Sequence, residues 1–287
     1  MKKKNINAFI DLGSTKIKSA IFDFDENGSE LIASSEVETS GINNSLVTNF
    51  DKACQSIRSA VGSLENKANL NIDSVTVMIE PTEIITTRLT KFKRMAGSKI
   101  EKNDINFLLS ESKKHLKNND QNFSLLHMFN YKYIVDKKIF KDLPINTFCD
   151  QLSLENVFIS VPKNILKNIS EVFHSCDIEV KKFICPSYSN GIFLFEKNQL
   201  ENGCGIVDIG YEKTSIALFK NSSLVKIVIL PIGSNHITKD ISKVCYLNKM
   251  EAETIKKDYD LFEQFKTNKE IDALLPKKYF INSNYRK

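Results

Sequence analysis

The chain carries the same short pattern twice. Phe9-Ile10-Asp11-Leu12-Gly13 near the start is matched by Ile206-Val207-Asp208-Ile209-Gly210, 197 positions further on (208 − 11). Each is an apolar run ending in Asp-x-Gly, followed by a tight turn and a second run, Lys16 to Asp23 in one copy and Thr214 to Lys220 in the other. Each then passes through a polar turn, Asp25-Glu26-Asn27-Gly28 or Lys220-Asn221-Ser222-Ser223, into a third strand. One Asp-x-Gly at a strand end is a common turn and says little. Two copies heading the same three-strand meander predict two similar lobes, each presenting one aspartate and one glycine-bearing turn.

That pairing suits a metal–polyphosphate. Glycine lets backbone N–H groups turn back on a phosphate with no Cβ in the way. In the first copy Ser14 and Thr15 add hydroxyl and amide donors to such a nest, and Lys16 adds charge. Asp11 and Asp208, one on each wall, can hold the water shell of Mg²⁺, which prefers one or two carboxylates plus phosphates.

Other features narrow the class. A length of 287 residues suggests about two domains and a sizeable core. The net charge of +5 comes mainly from Lys interleaved with Asn, Ser and Asp, without the Arg-rich stripe of a nucleic-acid surface. Six scattered cysteines show no CxxC pair and no His at zinc spacing, which fits a reducing cytoplasm. Met1-Lys2-Lys3-Lys4 begins like a signal peptide, but Asn5, Asn7 and Asp11 break any apolar core behind it. No apolar run reaches the roughly 18 residues of a membrane span. His115, His127, His174 and His236 are isolated, so no residue is assigned a catalytic role.

Periodicity orders the elements. Phe50, Cys54, Ile57, Val61 and Leu64 predict a helix capped by Thr48 or Asn49, and Ile72 to Ile79 alternates as a strand. From about residue 83 the register changes. Ile84 to Leu89 reads as a strand, Lys91 to Gly97 as a basic loop, and Asp104 as the cap of a helix presenting Ile105, Leu108, Leu109 and Leu116. Phe123 to Val135 and Val157 to Val161 read as strands, Lys163 to Cys176 as a helix, Glu179 to Cys185 as a strand and Ser187 to Glu196 as a helix. After the second Asp-x-Gly unit, Pro231-Ile232-Gly233-Ser234 leads into a helix carrying Ile237, Ile241 and Val244. The last forty or so residues read as polar and helical with a basic, exposed tail around Tyr279-Phe280-Ile281.

With these residues in place, the chain resembles the FtsA family of actin-type ATPase-fold division proteins. Ile10-Asp11-Leu12-Gly13-Ser14-Thr15-Lys16 is similar to the family's first phosphate loop, and Ile206 to Gly210 to its second. Gly41 with its following helix, Asp73 to Ile79, and Val157 to Pro162 with the next helix resemble the flanks of the family's inserted subdomain. Ile229 to Ile241, and Glu251 to Lys256, resemble later family elements.

The resemblance implies an α/β, actin-like (ribonuclease H-like) two-lobed fold. Residues 1–82 and 163–202 would form the first lobe, 83–162 an inserted α+β (SHS2-type) subdomain serving self-association, and 203–287 a second lobe that is incomplete. It implies ATP and Mg²⁺ as ligands, with Asp11, Gly13, Ser14, Thr15, Lys16, Asp208, Gly210 and Gly233 around them. Asp11 and Asp208 would meet the metal through water. It implies FtsZ as partner, self-association as a filament or dimer, peripheral contact with the cytoplasmic face of the inner membrane, and no nucleic acid. The family's adenine-side Gly-Gly motif and terminal membrane helix are not seen in residues 246–287, so the chain reads as C-terminally short. The second loop also departs from the family's glycine-rich form: Tyr211 and Glu212 stand where close backbone approach is expected, and Ser215 where the family has a carboxylate. Weakened nucleotide contact, with hydrolysis slow or absent, is one consequence; a shifted loop that still binds ATP is the other. A PilM-like type IV pilus assembly factor of the same fold is the alternative reading, and a sugar kinase of the same superfamily a third.

Overall fold

Alternation sets the first sheet. In the computed structural model, which describes residues 5–26 and 28–258, β1 (Ile6–Leu12) buries Ala8, Ile10 and Leu12 and turns Phe9 and Asp11 to the opposite face. β2 (Lys16–Asp25) and β3 (Gly28–Glu38) continue as an antiparallel meander. Two short strands, β4 (Ile42–Asn43) and β5 (Leu46–Val47), form a hairpin before α1 (Phe50–Ala68). Asn49 is the cap of α1, its side chain accepting from Lys52 N–H, which settles the choice between Thr48 and Asn49. β6 (Ser74–Met78) then runs parallel to β1.

The next stretch departs from its sequence reading. β7 is one strand from Ile85 to Lys99, so Lys91 to Gly97 is not a loop. Its residues pair across to the neighbouring strand, Lys91 with Leu154 and Arg94 with Gln151. Lys93 reaches Asp104 at 2.5 Å and lies 5.5 Å from the Phe107 ring centre. α2 (Lys102–Asn119) is capped by Glu101. Asp104 sits three residues in, its carboxylate accepting from Glu101 N–H at 2.8 Å, so it closes a capping box rather than starting the helix. β8 (Phe123–Val135), β9 (Lys138–Phe140) and β10 (Phe148–Pro162) complete an antiparallel sheet in the order β7-β10-β8-β9.

α3 (Lys163–His174) leads to β11 (Glu179–Ile184), which lies parallel to β6 and closes a sheet ordered β11-β6-β1-β2-β3. Ile57 and Leu64 of α1 and Ile169 and Phe173 of α3 share one core with Ile10, Ile17 and Ile21. α4 (Pro186–Leu194), where a helix over Ser187 to Glu196 is expected, and a short α5 (Lys197–Asn202), which the sequence did not suggest, precede β12 (Cys204–Ile209), β13 (Thr214–Lys220) and β14 (Ser223–Leu230). These three form the second meander. α6 (Ser234–Cys245) and α7 (Lys249–Asp258) follow.

The sequence-derived boundaries at 82/83, 162/163 and 202/203 fall at the β6–β7 connection, the β10–α3 junction and the α5–β12 turn. By their contacts the described residues group into two compact units. One comprises residues up to Asp208 together with Thr214–Leu230, and the other Ile209–Lys213 with the residues from Pro231 onward. Within the first unit, Val157, Ile159 and Val161 of β10 share a core with Ala217, Phe219, Leu224 and Ile227 of β13 and β14. Asn27 of the first polar turn and the Tyr279-Phe280-Ile281 tail lie outside the described residues. No helix among the described residues is long and apolar enough to cross a membrane.

Candidate functional site

The first Asp-x-Gly turn joins β1 to β2 and is fastened from three directions. A Cβ added at Gly13 would lie 2.5 Å from the Lys16 carbonyl oxygen, so the backbone closes on itself where only glycine fits. Thr39 follows β3 and donates twice, from Oγ1 to the Gly13 carbonyl and from its N–H to the Thr15 carbonyl, each at 2.9 Å. The Ser14 hydroxyl accepts from Asn44 N–H at 3.1 Å, which leaves its own proton available to an incoming oxygen. Thr15 is exposed. Lys16 pairs with Glu36 across β2 and β3 at the surface, and that contact raises the ammonium pKa and lowers that of the carboxyl. Asp11 is half-buried, in register with Lys18, on a groove of about 980 Å³ that also takes in Phe9, Phe22, Met78 and Phe193.

The second turn keeps the same backbone relation. Gly210 N–H donates to the Lys213 carbonyl at 2.9 Å, and a Cβ on Gly210 would lie 3.1 Å from that oxygen, matching the Gly13–Lys16 approach. Its surroundings differ. The first turn of α6 spends its otherwise unpaired N–H groups on the loop: Ser234 donates to the Gly210 carbonyl at 2.9 Å and Asn235 to the Tyr211 carbonyl at 2.8 Å. Gly233 permits this crossing, since a Cβ there would meet Tyr211 O at 2.5 Å and Gly210 O at 2.6 Å.

Side chains then fill the loop. Glu212 accepts from Asn235 Nδ2 at 2.7 Å. The Tyr211 ring lies 5.5 Å from the Lys249 ammonium and 5.7 Å from that of Lys256. Lys256 in turn donates to Glu253 at 2.7 Å and to Thr238 Oγ1 at 2.9 Å, and its hydrogen bond is the main reason the Glu253 carboxyl sits below its usual pKa.

Asp11, Gly13, Ser14, Thr15 and Lys16 therefore form one local constellation, and Gly210 and Gly233 another. Asp208 is the last residue but one of β12 and is exposed. Among the described residues no cluster of three or more His, Cys, Asp and Glu converges to hold a metal directly.

One residue escaped the sequence reading. Glu80, just beyond β6, is 3% exposed. Its Oε1 accepts from the Cys185 thiol at 3.0 Å and Ser187 N–H at 3.1 Å, and its Oε2 from the Ser215 hydroxyl. Burial, with the nearby carboxylate, pushes the Cys185 thiol pKa well up. Ser215 is the position where the FtsA pattern has a carboxylate, and here it serves a buried one instead. The only local signal was a glutamate directly after an apolar strand.

His127 of β8 joins the same region. Its Nε2 accepts from Cys185 N–H at 3.0 Å, with Tyr188 and Phe129 against its ring. Burial, and secondarily the charge of Lys182, lower its pKa to about 4. The unfolded chain thus binds more protons between about pH 6.5 and 4, so the stability conferred by neutral His127 is complete above that window and lost as pH falls through it. Discounted for the half-open ring, the loss is about 2 kcal/mol. Urea midpoints of wild type and His127→Gln should separate at neutral pH and converge near pH 4; equal slopes with pH would refute the assignment.

A five-stranded sheet made of an antiparallel meander and two parallel strands, with an Asp-x-Gly turn repeated on a second meander, defines the actin-like ATPase fold. Solved structures agree. A chain of the PilM-PilN type IV pilus biogenesis complex superposes with a TM-score of 0.63 at 13% identity, covering 88% of this chain and 69% of that one. The ethanolamine utilization protein EutJ from Carboxydothermus hydrogenoformans superposes at 0.51 and 15% identity, covering 90% and 64%.

The sequence is similar to FtsA in particular. The profile of the cell division protein FtsA family matches residues 205–276. Over 266 residues the chain is 23% identical to the cell division protein FtsA of Rhizobium meliloti (strain 1021), covering 89% of this chain and 60% of that protein. Over 268 residues it is 23% identical to FtsA of Streptococcus pneumoniae serotype 2 (strain D39 / NCTC 7466), covering 90% and 57%. The chain thus spans about 60% of the length of the first of these relatives.

Proposed function

We propose that the chain is an FtsA-like division protein that binds ATP–Mg²⁺, self-associates through the inserted subdomain at 83–162 and links FtsZ to the cytoplasmic face of the membrane. The observation that carries this reading is collinear similarity to FtsA over 89% of the chain, with both Asp-x-Gly turns in place. The PilM likeness, at 13% identity, speaks to the fold alone.

Gly13, Ser14, Thr15 and Lys16 would receive phosphate oxygens, with Lys16 exchanging Glu36 for them. Asp11 and Asp208 would orient metal-bound water, and Gly210 and Gly233 would supply backbone on the second side. Bound ATP–Mg²⁺ would supply polyphosphate charge. Tyr211 and Glu212 stand against tight binding: Glu212 already sits on Asn235 in the first turn of α6 and presents a negative charge where phosphate would come.

Replacing both, Tyr211→Gly with Glu212→Gly, should tighten ATP–Mg²⁺ binding about tenfold, as read by fluorescence anisotropy of a labelled ATP, because removing one like charge is worth about 1.4 kcal/mol. Unchanged affinity would overturn the account of the second loop. Co-sedimentation with polymerised FtsZ tests the partner separately, and failure to pellet would remove that part of the reading.

A further inference from the structure

The inserted sheet has a cavity of its own. β7, β10 and β8 turn one face toward α2, whose described turns end at Asn119. Along that face, Leu152 and Leu154 of β10 are in the core beneath the helix, and Asn156 Nδ2 donates to Ser112 at 3.1 Å. Ser160 belongs to the same alternating row, and it lines a pocket of about 510 Å³ beside the last turns of α2. That volume lies within the roughly 300–1,000 Å³ of ordinary small-molecule sites. Ile85, Leu89, Leu116, Phe123 and Leu125 give the pocket an apolar wall. Lys113, Lys117 and Lys163 stand around it with His115 and a single carboxylate, Asp120. Among the described residues none of these three lysines makes an ion pair.

Three observations converge at one end of this pocket. The Ser160 hydroxyl is buried, at 2% exposure for the residue, and has no hydrogen-bond partner among the described residues, a destabilising arrangement unless something fills it. Lys163 is three residues on and half-buried. It also opens α3, a twelve-residue helix whose cap is Pro162; the Lys163 N–H donates to the Asn122 carbonyl at 2.8 Å, and no side chain caps the rest of the first turn. A buried hydroxyl donor and an ammonium ask for an anion, and a helix start without a side-chain cap favours one. The wall beside them asks for hydrocarbon.

We propose that this pocket binds a single-chain amphiphile with an anionic head, the head taking Ser160 and Lys163 and the tail lying along Leu116, Phe123 and Leu125. A carboxylate and a phosphate monoester share this chemistry. Calorimetric titration of the full chain with decanoate, decyl phosphate, decanol and decyltrimethylammonium separates the cases. One saturable site for the anions is expected, with decanol at least about tenfold weaker and the cation silent. The tighter of the two anions identifies the head group, and either order supports the site. Ser160→Ala removes an unpaired buried group and should leave folding intact while weakening the anions about tenfold; Lys163→Met should do the same, and neither should change decanol binding. Equal binding of decanol and decanoate, insensitivity to both substitutions, or no saturation up to about 1 mM would each overturn the proposal.

Discussion

Ser215→Asp should be among the most damaging single changes available to this chain, costing roughly 3–5 kcal/mol of stability. Ser215 is buried and gives its proton to Glu80, a carboxylate that already gathers donors from Cys185 and Ser187. An aspartate there restores the carboxylate of the FtsA pattern but sets a second negative charge against the first, out of reach of bulk water. Two such groups share a proton, so one of them has its pKa pushed up. A group raised in the folded state contributes stability at low pH and loses it as pH rises, so the deficit relative to wild type should be smaller near about pH 5 than near about pH 8. Glu80→Gln, combined with Ser215→Asp, supplies an amide donor to the new carboxylate and should recover most of the loss, whereas Ser215→Ala alone should cost about 1 kcal/mol. Chemical denaturation of the four variants as a double-mutant cycle measures the coupling. Additive effects would mean that Glu80 and Ser215 do not act as a pair.

Gly233→Ala should be nearly as severe for a different reason. Its φ of −141° is open to any residue. The obstacle is the second loop, whose Gly210 and Tyr211 carbonyl oxygens lie 2.6 and 2.5 Å from where the methyl would go. Those oxygens are the acceptors for Ser234 and Asn235 N–H, so relieving the clash lengthens both bonds. Overpacking against a backbone that cannot rotate away costs about 2–3 kcal/mol, and the two hydrogen bonds add about 1 kcal/mol more. Hydrogen exchange gives the sharper reading: protection at Ser234 and Asn235 should fall while that of β1 and β2 stays unchanged. Intact protection at those amides would show that the loop yields without releasing the helix.

Much of this fold is legible because its signals are local. Asn49 caps α1 with its own side chain, and the 3–4-residue spacing behind it marks the buried stripe. Phe123 to Val135 is read as a strand and is one, end to end. The basic segment 91–97 misleads because its lysines and arginine resemble a solvated loop, whereas Lys91, Lys93 and buried Met95 share one face of a strand and exposed Phe92 and Arg94 the other, so charge stands on both faces. Asp104 misleads by one turn: it is a favoured capping residue, but it sits at the third helical position and its carboxylate accepts from Glu101 N–H. The short α5 offers too few residues to show a period.

The site divides along the same line. The glycine turns at 13 and 210 are visible as a repeat, and their backbone geometry agrees. Nothing near Glu80 in sequence announces its partners, which lie at 185, 187 and 215. Likewise the ties of Tyr211 to Lys249 and Lys256 depend on how α7 returns to the loop. Long-range polar pairing leaves no period to read.

β10 carries a consequence for how the molecule can come apart. Leu152 and Leu154 on one of its faces hold the core under α2, and Val157, Ile159 and Val161 on the other hold the core shared with β13 and β14. A single strand is therefore a common timber of two rooms. The stretch 83–162 is not a detachable module: cutting at its ends would strip the second meander of its floor, and exchange with a foreign segment would require the new strand to bring both faces with it.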